Sequence, residues 1–222
     1  MEHTQLPEDT GLTFYSRVSA SISHELKNAL AVINESAGFL EDVTLMVQKG
    51  VPLDPNRLGT LAGAILKQVQ RSNTIIKNMN RLAHSLDEKQ AVVDLSSLVE
   101  LMLHVSERTA VTRGVKITGA FSEAPISITT HPFYLETLIW LLLELSMNLC
   151  GEKKAVSVGV AAADAGARIE FSGLAALTGP AADQFFAGRS APLLDALGAG
   201  LALMEGEGRL VVSLPARFSV PV

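Results

Sequence analysis

The sequence predicts a helical hairpin followed by an α+β domain. Three observations carry this reading. Apolar residues recur at alternating spacings of three and four through most of residues 12–86, a turn signal interrupts them near residue 50, and from residue 90 the pattern changes to short alternating runs separated by apolar helical stretches.

The first helix is expected over 12–49, after a polar and acidic tail at 1–11. Ile22, Leu26, Ala29, Ile33, Ser36, Leu40, Val43 and Val47 form a heptad seam, the pattern of helices packed nearly parallel in a bundle. Gly50-Val51-Pro52-Leu53-Asp54-Pro55 ends it, with a glycine past the last turn and then two prolines. A second helix is expected over 56–86, with Leu58, Leu61, Ile65, Gln68, Ser72, Ile75, Met79, Leu82 and Leu86 on one stripe. These form an all-α hairpin domain over 12–89. One hairpin cannot bury both faces of its seam, whereas two copies form a four-helix bundle, so a homodimer is expected.

The α+β domain is expected over 90–222. Residues 91–95, 115–118 and 126–129 read as strands, with a helix to about Arg113 capped by Asp94 or Ser96. A helix follows from Pro132 to about Cys150. Strands are then expected at 155–161, 167–171 and 209–214, and a further one at 217–220, with a short helix over 192–204. Together these make a mixed or antiparallel sheet under helices.

Composition narrows the function classes. The chain is 48% hydrophobic, 18% charged and carries a net charge of -5, without a basic run or basic-aromatic stripe, which argues against a nucleic-acid partner. The lone Cys150 precludes an internal disulfide and fits a reducing, cytoplasmic setting, and it reads as a core thiol. Met1–Thr10 lacks the apolar stretch of a signal peptide, and Leu138–Leu149 is broken by Glu144, so it suits a core helix and not a membrane span.

Chemistry concentrates at Ser21-Ile22-Ser23-His24-Glu25-Leu26-Lys27-Asn28-Ala29-Leu30. In the heptad, His24 falls at f, the most exposed position. Asn28 lies one turn along on the same side, and Glu25 lies at g on the flank. Ser21, Ser23 and Ala31 are small and leave the imidazole open. His3, His84, His104 and His131 have no such neighbours and read as ordinary surface residues.

Ser-His-Glu-Leu-Lys-Asn-x-Leu resembles the H-box of sensor histidine kinases, in which the histidine is phosphorylated on a ring nitrogen. The order of the second half resembles the ATPase domain of those kinases, the Bergerat fold: Asp94-Leu95 entering a helix, Arg113-Gly114-Val115-Lys116-Ile117 closing it, and His131-Pro132 opening the next. Sensor kinases often carry sensory segments upstream, and the resemblance implies that input reaches this chain from elsewhere.

The resemblance also exposes departures. The Asn that binds the nucleotide's Mg²⁺ would fall at Leu145, and the first Asn of that box at Leu141. Leucine offers a hard cation no oxygen. Glu144 is one residue off, about 100° round the helix. The acid that reads adenine is replaced by Ser172 or Gly173. Phe185-Phe186 looks like a remnant of the F-box, and Gly198-Ala199-Gly200 like a worn G2 box. Ala29 stands where the family usually has a kinking proline. A degenerate ATPase domain is therefore expected, with no ATP, metal or other cofactor bound.

The chain most resembles dimeric bacterial histidine phosphotransferases. That resemblance implies a phosphorelay role: His24 as nucleophile, exchanging a phosphoryl group with response-regulator receiver domains that supply the Asp and the Mg²⁺. Glu25 is expected to orient the imidazole by accepting its other N–H, and Asn28 to position a water for dephosphorylating a receiver. Lys27 faces the receiver or solvent. An upstream kinase is a further expected partner, and no membrane is. Two other readings share these features: an active kinase with an atypical nucleotide site, and a non-catalytic dimeric adaptor or phosphatase for receivers.

Overall fold

Helices α1 (Pro7–Gln48) and α2 (Pro55–His84) realise the two heptad runs in the computed structural model, which describes residues 7–121, 124–175 and 186–217. Helix α1 starts at Pro7, five residues before the expected Leu12. Between the helices, Gly50 takes the left-handed conformation (φ 86°), and Asp54 Oδ1 accepts the backbone N–H of Asn56 at 3.0 Å, with Pro55 opening α2.

The chain divides into two compact units. Ser19–Arg81 is one; residues up to Val18 and from Leu82 onward form the other. In the hairpin unit, Ile22, Ala29 and Ser36 are buried on the seam. Leu26, Ile33, Leu40, Leu58, Leu61, Ile65, Ser72 and Ile75 are half-buried. Many other apolar side chains stay open to solvent, including Leu30, Phe39, Leu66, Val69 and Ile76.

The α+β unit begins with strand β1 (Ala91–Asp94) and helix α3 (Leu95–Thr112). Asp94 is the cap: its carboxylate accepts from Ser96 N at 3.2 Å and from the Ser97 hydroxyl at 2.8 Å. Strands β2 (Lys116–Ala120) and β3 (Ser127–Thr130) lead to the apolar helix α4 (Pro132–Leu149). Strands β4 (Ala155–Ala163) and β5 (Gly166–Ser172), helix α5 (Ala191–Leu197), and strands β6 (Gly200–Met204) and β7 (Arg209–Pro215) complete it.

β1 and β3 pair antiparallel, and a mixed sheet runs β2-β4-β5-β7-β6, with β2 and β4 parallel. Val156, Val158, Ile169, Phe171, Leu210 and Val212 alternate onto one face of this sheet, and the core also contains Leu98, Met102, Leu135, Leu138 and Leu142 from α3 and α4.

The expected helix over 192–204 is corrected. It ends at Leu197, where Gly198 turns left-handed (φ 59°), and residues 200–204 pair with β7 as a strand. The expected strand at 217–220 reduces to a bridge between Arg217 and Thr129; its remaining residues lie outside the described ones. No helix among the described residues is long and apolar enough to cross a membrane.

The first turns of α1 belong to this unit. Phe14 is fully buried, its ring centroid 5.8 Å from Phe133 and 5.5 Å from Trp140, and Thr10 and Val18 are buried on the same stripe. Of these only Thr10 falls in the expected tail; Phe14 and Val18 lie in the expected first helix.

Candidate functional site

His24 is exposed on α1, as its heptad position predicts, and it has no hydrogen bond among the described residues. Asn28 and Lys27 are exposed beside it. Helix α1 runs through Ala29, which is buried on the seam.

Glu25 sits differently from expectation. Its carboxylate is paired with Arg71 of α2, Nη2 to Oε2 at 3.2 Å. The Glu25 side chain is 16% exposed and that of Arg71 is 57% exposed, so the guanidinium caps the acid from the solvent side. The acid is thus held by α2, and among the described residues it makes no hydrogen bond to the His24 ring. Arg71 has no counterpart in the motif around His24. The signal for it was Glu25 at the g flank, which faces the neighbouring helix. Close to this pair in sequence, the Ser21 and Ser72 hydroxyls are buried without a hydrogen-bond partner.

The α+β unit holds Leu141, Leu145, Glu144 and Gly173, the residues that the resemblance singled out. Leu141 and Leu145 are 2% and 6% exposed, buried in the core. Glu144 is engaged on both oxygens, Oε1 by Arg113 Nη2 at 3.2 Å and Oε2 by Arg17 Nη1 at 3.3 Å. Arg113 also donates to the Glu144 carbonyl at 3.2 Å and to Asn148 Oδ1 at 3.1 Å. Gly173 has φ 92°, and a Cβ there would lie 2.3 Å from the Ala155 carbonyl oxygen, so backbone contact alone demands glycine. Gly198 is a helix C-cap and Gly200 opens β6. Phe185 lies outside the described residues.

His131 is not the simple surface residue expected. It is the N-cap of α4: Nδ1 accepts from Tyr134 N at 3.4 Å, and the ring stacks on Tyr134 at 3.8 Å between centroids. Burial lowers its pKa, its backbone hydrogen bond raises it, and the positive charge of Lys89 lowers it further. Cys150 is half-buried, with its thiol donating to the Met147 carbonyl at 3.2 Å.

No group of three or more metal-ligating side chains gathers among the described residues. A cavity of about 290 Å³ opens between α3 and β2, lined by Glu100, Leu103, His104, Glu107, Ile117 and Phe121, and no sequence signal pointed to it.

No protein-family model matches the chain, and no curated protein sequence does. Among solved structures it is similar to the catalytic domain of the histidine kinase ThkA, at 9% identity over 60% of this chain and 100% of that one, with a TM-score of 0.49. It is also similar to the Acinetobacter baumannii histidine kinase AdeS, at 11% identity over 87% of this chain and 98% of that one, TM-score 0.48. The ATP-binding domain of PrrB from Mycobacterium tuberculosis is a third, at 19% identity over 58% of this chain and 98% of that one, TM-score 0.46.

Proposed function

We propose that this chain is a dimeric histidine phosphotransfer protein, relaying a phosphoryl group between receiver domains through His24. The observation that carries the reading is the exposed, unbonded imidazole of His24 on a heptad helix, with Asn28 one turn away and the Glu25–Arg71 pair at its flank.

A neutral imidazole offers one ring nitrogen lone pair. That nitrogen attacks the phosphorus of a receiver's acyl phosphate. The new N–P bond forms as the P–O bond to the receiver's aspartate breaks, and the electron pair leaves with the carboxylate. The reverse step, with a second receiver's carboxylate as nucleophile, returns the imidazole. The receiver supplies the Mg²⁺, which neutralises charge on the transferring oxygens. Asn28 can hold a water for hydrolysis of the receiver's acyl phosphate. Glu25, held by Arg71, acts first as a fixed charge at the flank of the site; to take a ring proton it must leave the guanidinium.

The reading includes loss of ATP chemistry. Burial of Leu141 and Leu145 and the double engagement of Glu144 support it, because none of the three presents an oxygen ligand to a cation.

The test pairs two measurements on the purified chain. A panel of phosphorylated receiver domains is expected to label His24, and His24→Ala is expected to stay unlabelled. Titration with ATP and Mg²⁺ is expected to give no binding at millimolar nucleotide. Labelling of His24 from ATP would assign an active kinase instead, and receiver binding without any label on His24 would assign an adaptor.

A further inference from the structure

Strand β2 is the edge of the five-stranded sheet, and among the described residues it pairs only with β4. The Lys116 N–H donates to the Lys154 carbonyl at 2.8 Å, so Lys116 turns its backbone groups toward β4. Backbone groups alternate along a strand, and Thr118 and Ala120 follow Lys116. Ile117 and Gly119 therefore turn their N–H and C=O away from the sheet. No other backbone bond fills that edge among the described residues. An edge of this kind is a template for one more strand.

The cavity of about 290 Å³ between α3 and β2 lies along this edge, lined by Ile117, Gly119 and Phe121 from one face of β2. Gly119 shapes it. A Cβ there would lie 2.4 Å from the Phe121 ring, so the ring covers the strand where a side chain would stand. Leu103, Ile117 and Phe121 make an apolar floor. The α3 side carries Glu100 and Glu107, both exposed and two turns apart, about 10 Å along the helix. Neither makes an ion pair among the described residues. Between them, His104 Nδ1 donates to the Glu100 carbonyl at 2.8 Å, which leaves Nε2 of the neutral ring as an acceptor.

We infer that the groove between β2 and α3 binds an extended segment of a partner protein as an added strand, with two basic side chains flanking an apolar one on the groove side. The outward groups of Ile117 and Gly119 supply main-chain hydrogen bonds, and the cavity selects alternate side chains of the incoming strand. Charge complementarity sets the pattern. In an added strand the groove-facing residues stand at every second position, so the first and third are about 14 Å apart. Lysine stems are long and flexible enough to bring two ammonium groups onto Glu100 and Glu107. The residue between them meets Leu103, Ile117 and Phe121. A second copy of β2 does not fit this pattern, because Ile117 and Gly119 would fall where the cations are needed. A nucleic acid is repelled by the two carboxylates.

The experiment titrates the full chain into a fluorescein-labelled peptide, Thr-Lys-Thr-Val-Thr-Lys-Thr, and follows anisotropy at low salt. The peptide is expected to bind, and the same peptide with glutamate in place of both lysines is expected not to. The double variant E100Q/E107Q is expected to raise the Kd about tenfold, since it removes two exposed ion pairs. Glu41→Gln, an exposed acid on α1, is expected to match wild type. Circular dichroism melts of both variants are expected to overlay the wild-type curve. Two further peptides test the strand pairing itself. One is N-methylated on the lysines and the valine, the other on the inner threonines. Only one of these sets can face β2, so one peptide is expected to lose binding and the other to keep it. Equal binding by both methylated peptides would show that the groove takes side chains without an added strand, and would overturn the inference. A wild-type Kd in E100Q/E107Q, or no binding of the basic peptide, overturns it as well. None of these outcomes bears on His24 as phosphoacceptor.

Discussion

Arg17 and Glu144 lie 127 residues apart in sequence and meet at 3.3 Å, with the Arg17 guanidinium also 5.8 Å from the Trp140 ring centroid. The pair joins the start of α1 to the middle of α4. Arg113 takes the other carboxylate oxygen, so one acid ties together three helices of the same unit. Both oxygens of this carboxylate are engaged within the unit.

Removing that acid exposes the dependence. Glu144 is 19% exposed, and its two arginines lose their partner together in Glu144→Ala. Hydrogen bonds to charged groups contribute about 1.5–3 kcal/mol. The variant is expected to lose stability in that range in urea unfolding. Arg113→Ala is expected to cost more than Arg17→Ala, because the Arg17 side chain is 57% exposed and its pair is screened by water. Equal costs for the two arginines would count against this account.

Phe14 is the apolar counterpart of that tie. Its ring is fully buried between Phe133 and Trp140. Phe14→Ala is expected to cost about 3–5 kcal/mol, the range for emptying a buried aromatic site. Trp140 is the single tryptophan of the chain, so its emission reports directly on this contact and is expected to shift to longer wavelength. Unchanged emission with unchanged stability would mean that the first turns of α1 contribute nothing to the core.

His131 gives a pH dependence with a definite sign. Burial, the largest cause, lowers its pKa below the ordinary value of 6.5, so the folded state favours the neutral ring, which can accept from Tyr134 N. The folded protein binds this proton less readily than the unfolded chain. The stabilisation is therefore present above the unfolded pKa and is lost as pH falls through the lower folded value. His131→Asn keeps a capping acceptor without titrating. The difference in unfolding free energy between wild type and His131→Asn is expected to shift against wild type as pH drops from 7 to 5. A flat difference across that window would reject the assignment.

Much of the fold was legible because its drivers are local. The seam spacing, the Gly50 and Asp54-Pro55 signals, and the Asp94 and His131-Pro132 starts each act within a few residues, and each element formed near its expected place. Strand β6 was missed because Leu201, Ala202, Leu203 and Met204 favour helix intrinsically. Pairing along β7, after the left-handed Gly198, decides otherwise. Two further features depend on distant partners. Val18 and Phe14 continue the Ile22 stripe at spacings of four, a visible apolar signal, but nothing local indicates that Phe133 and Trp140 receive it. Glu25 was read beside His24, its neighbour in sequence, whereas its bonded partner stands 46 residues away on α2.

The hairpin's apolar surface leads to a last expectation, the homodimer. Leu66, Val69 and Ile76 are 61%, 41% and 45% exposed on one flank of α2, and Leu30 of α1 is 60% exposed. Large apolar side chains exposed together on a helical hairpin are a feature of surfaces that meet a partner. At about 100° per residue Arg71 lies about 140° or more round α2 from Leu66, Val69 and Ile76, so burying these side chains against a second copy leaves the flank of the Glu25–Arg71 pair open. Sedimentation of wild type is expected to give twice the chain mass of 23.6 kDa, with a melting temperature that rises with protein concentration. Leu66→Glu combined with Val69→Glu places two carboxylates on the stripe and is expected to give a monomer that stays helical. A wild-type chain that sediments as a monomer at tens of micromolar, or a double variant that remains dimeric, would show that this stripe is not where two copies meet.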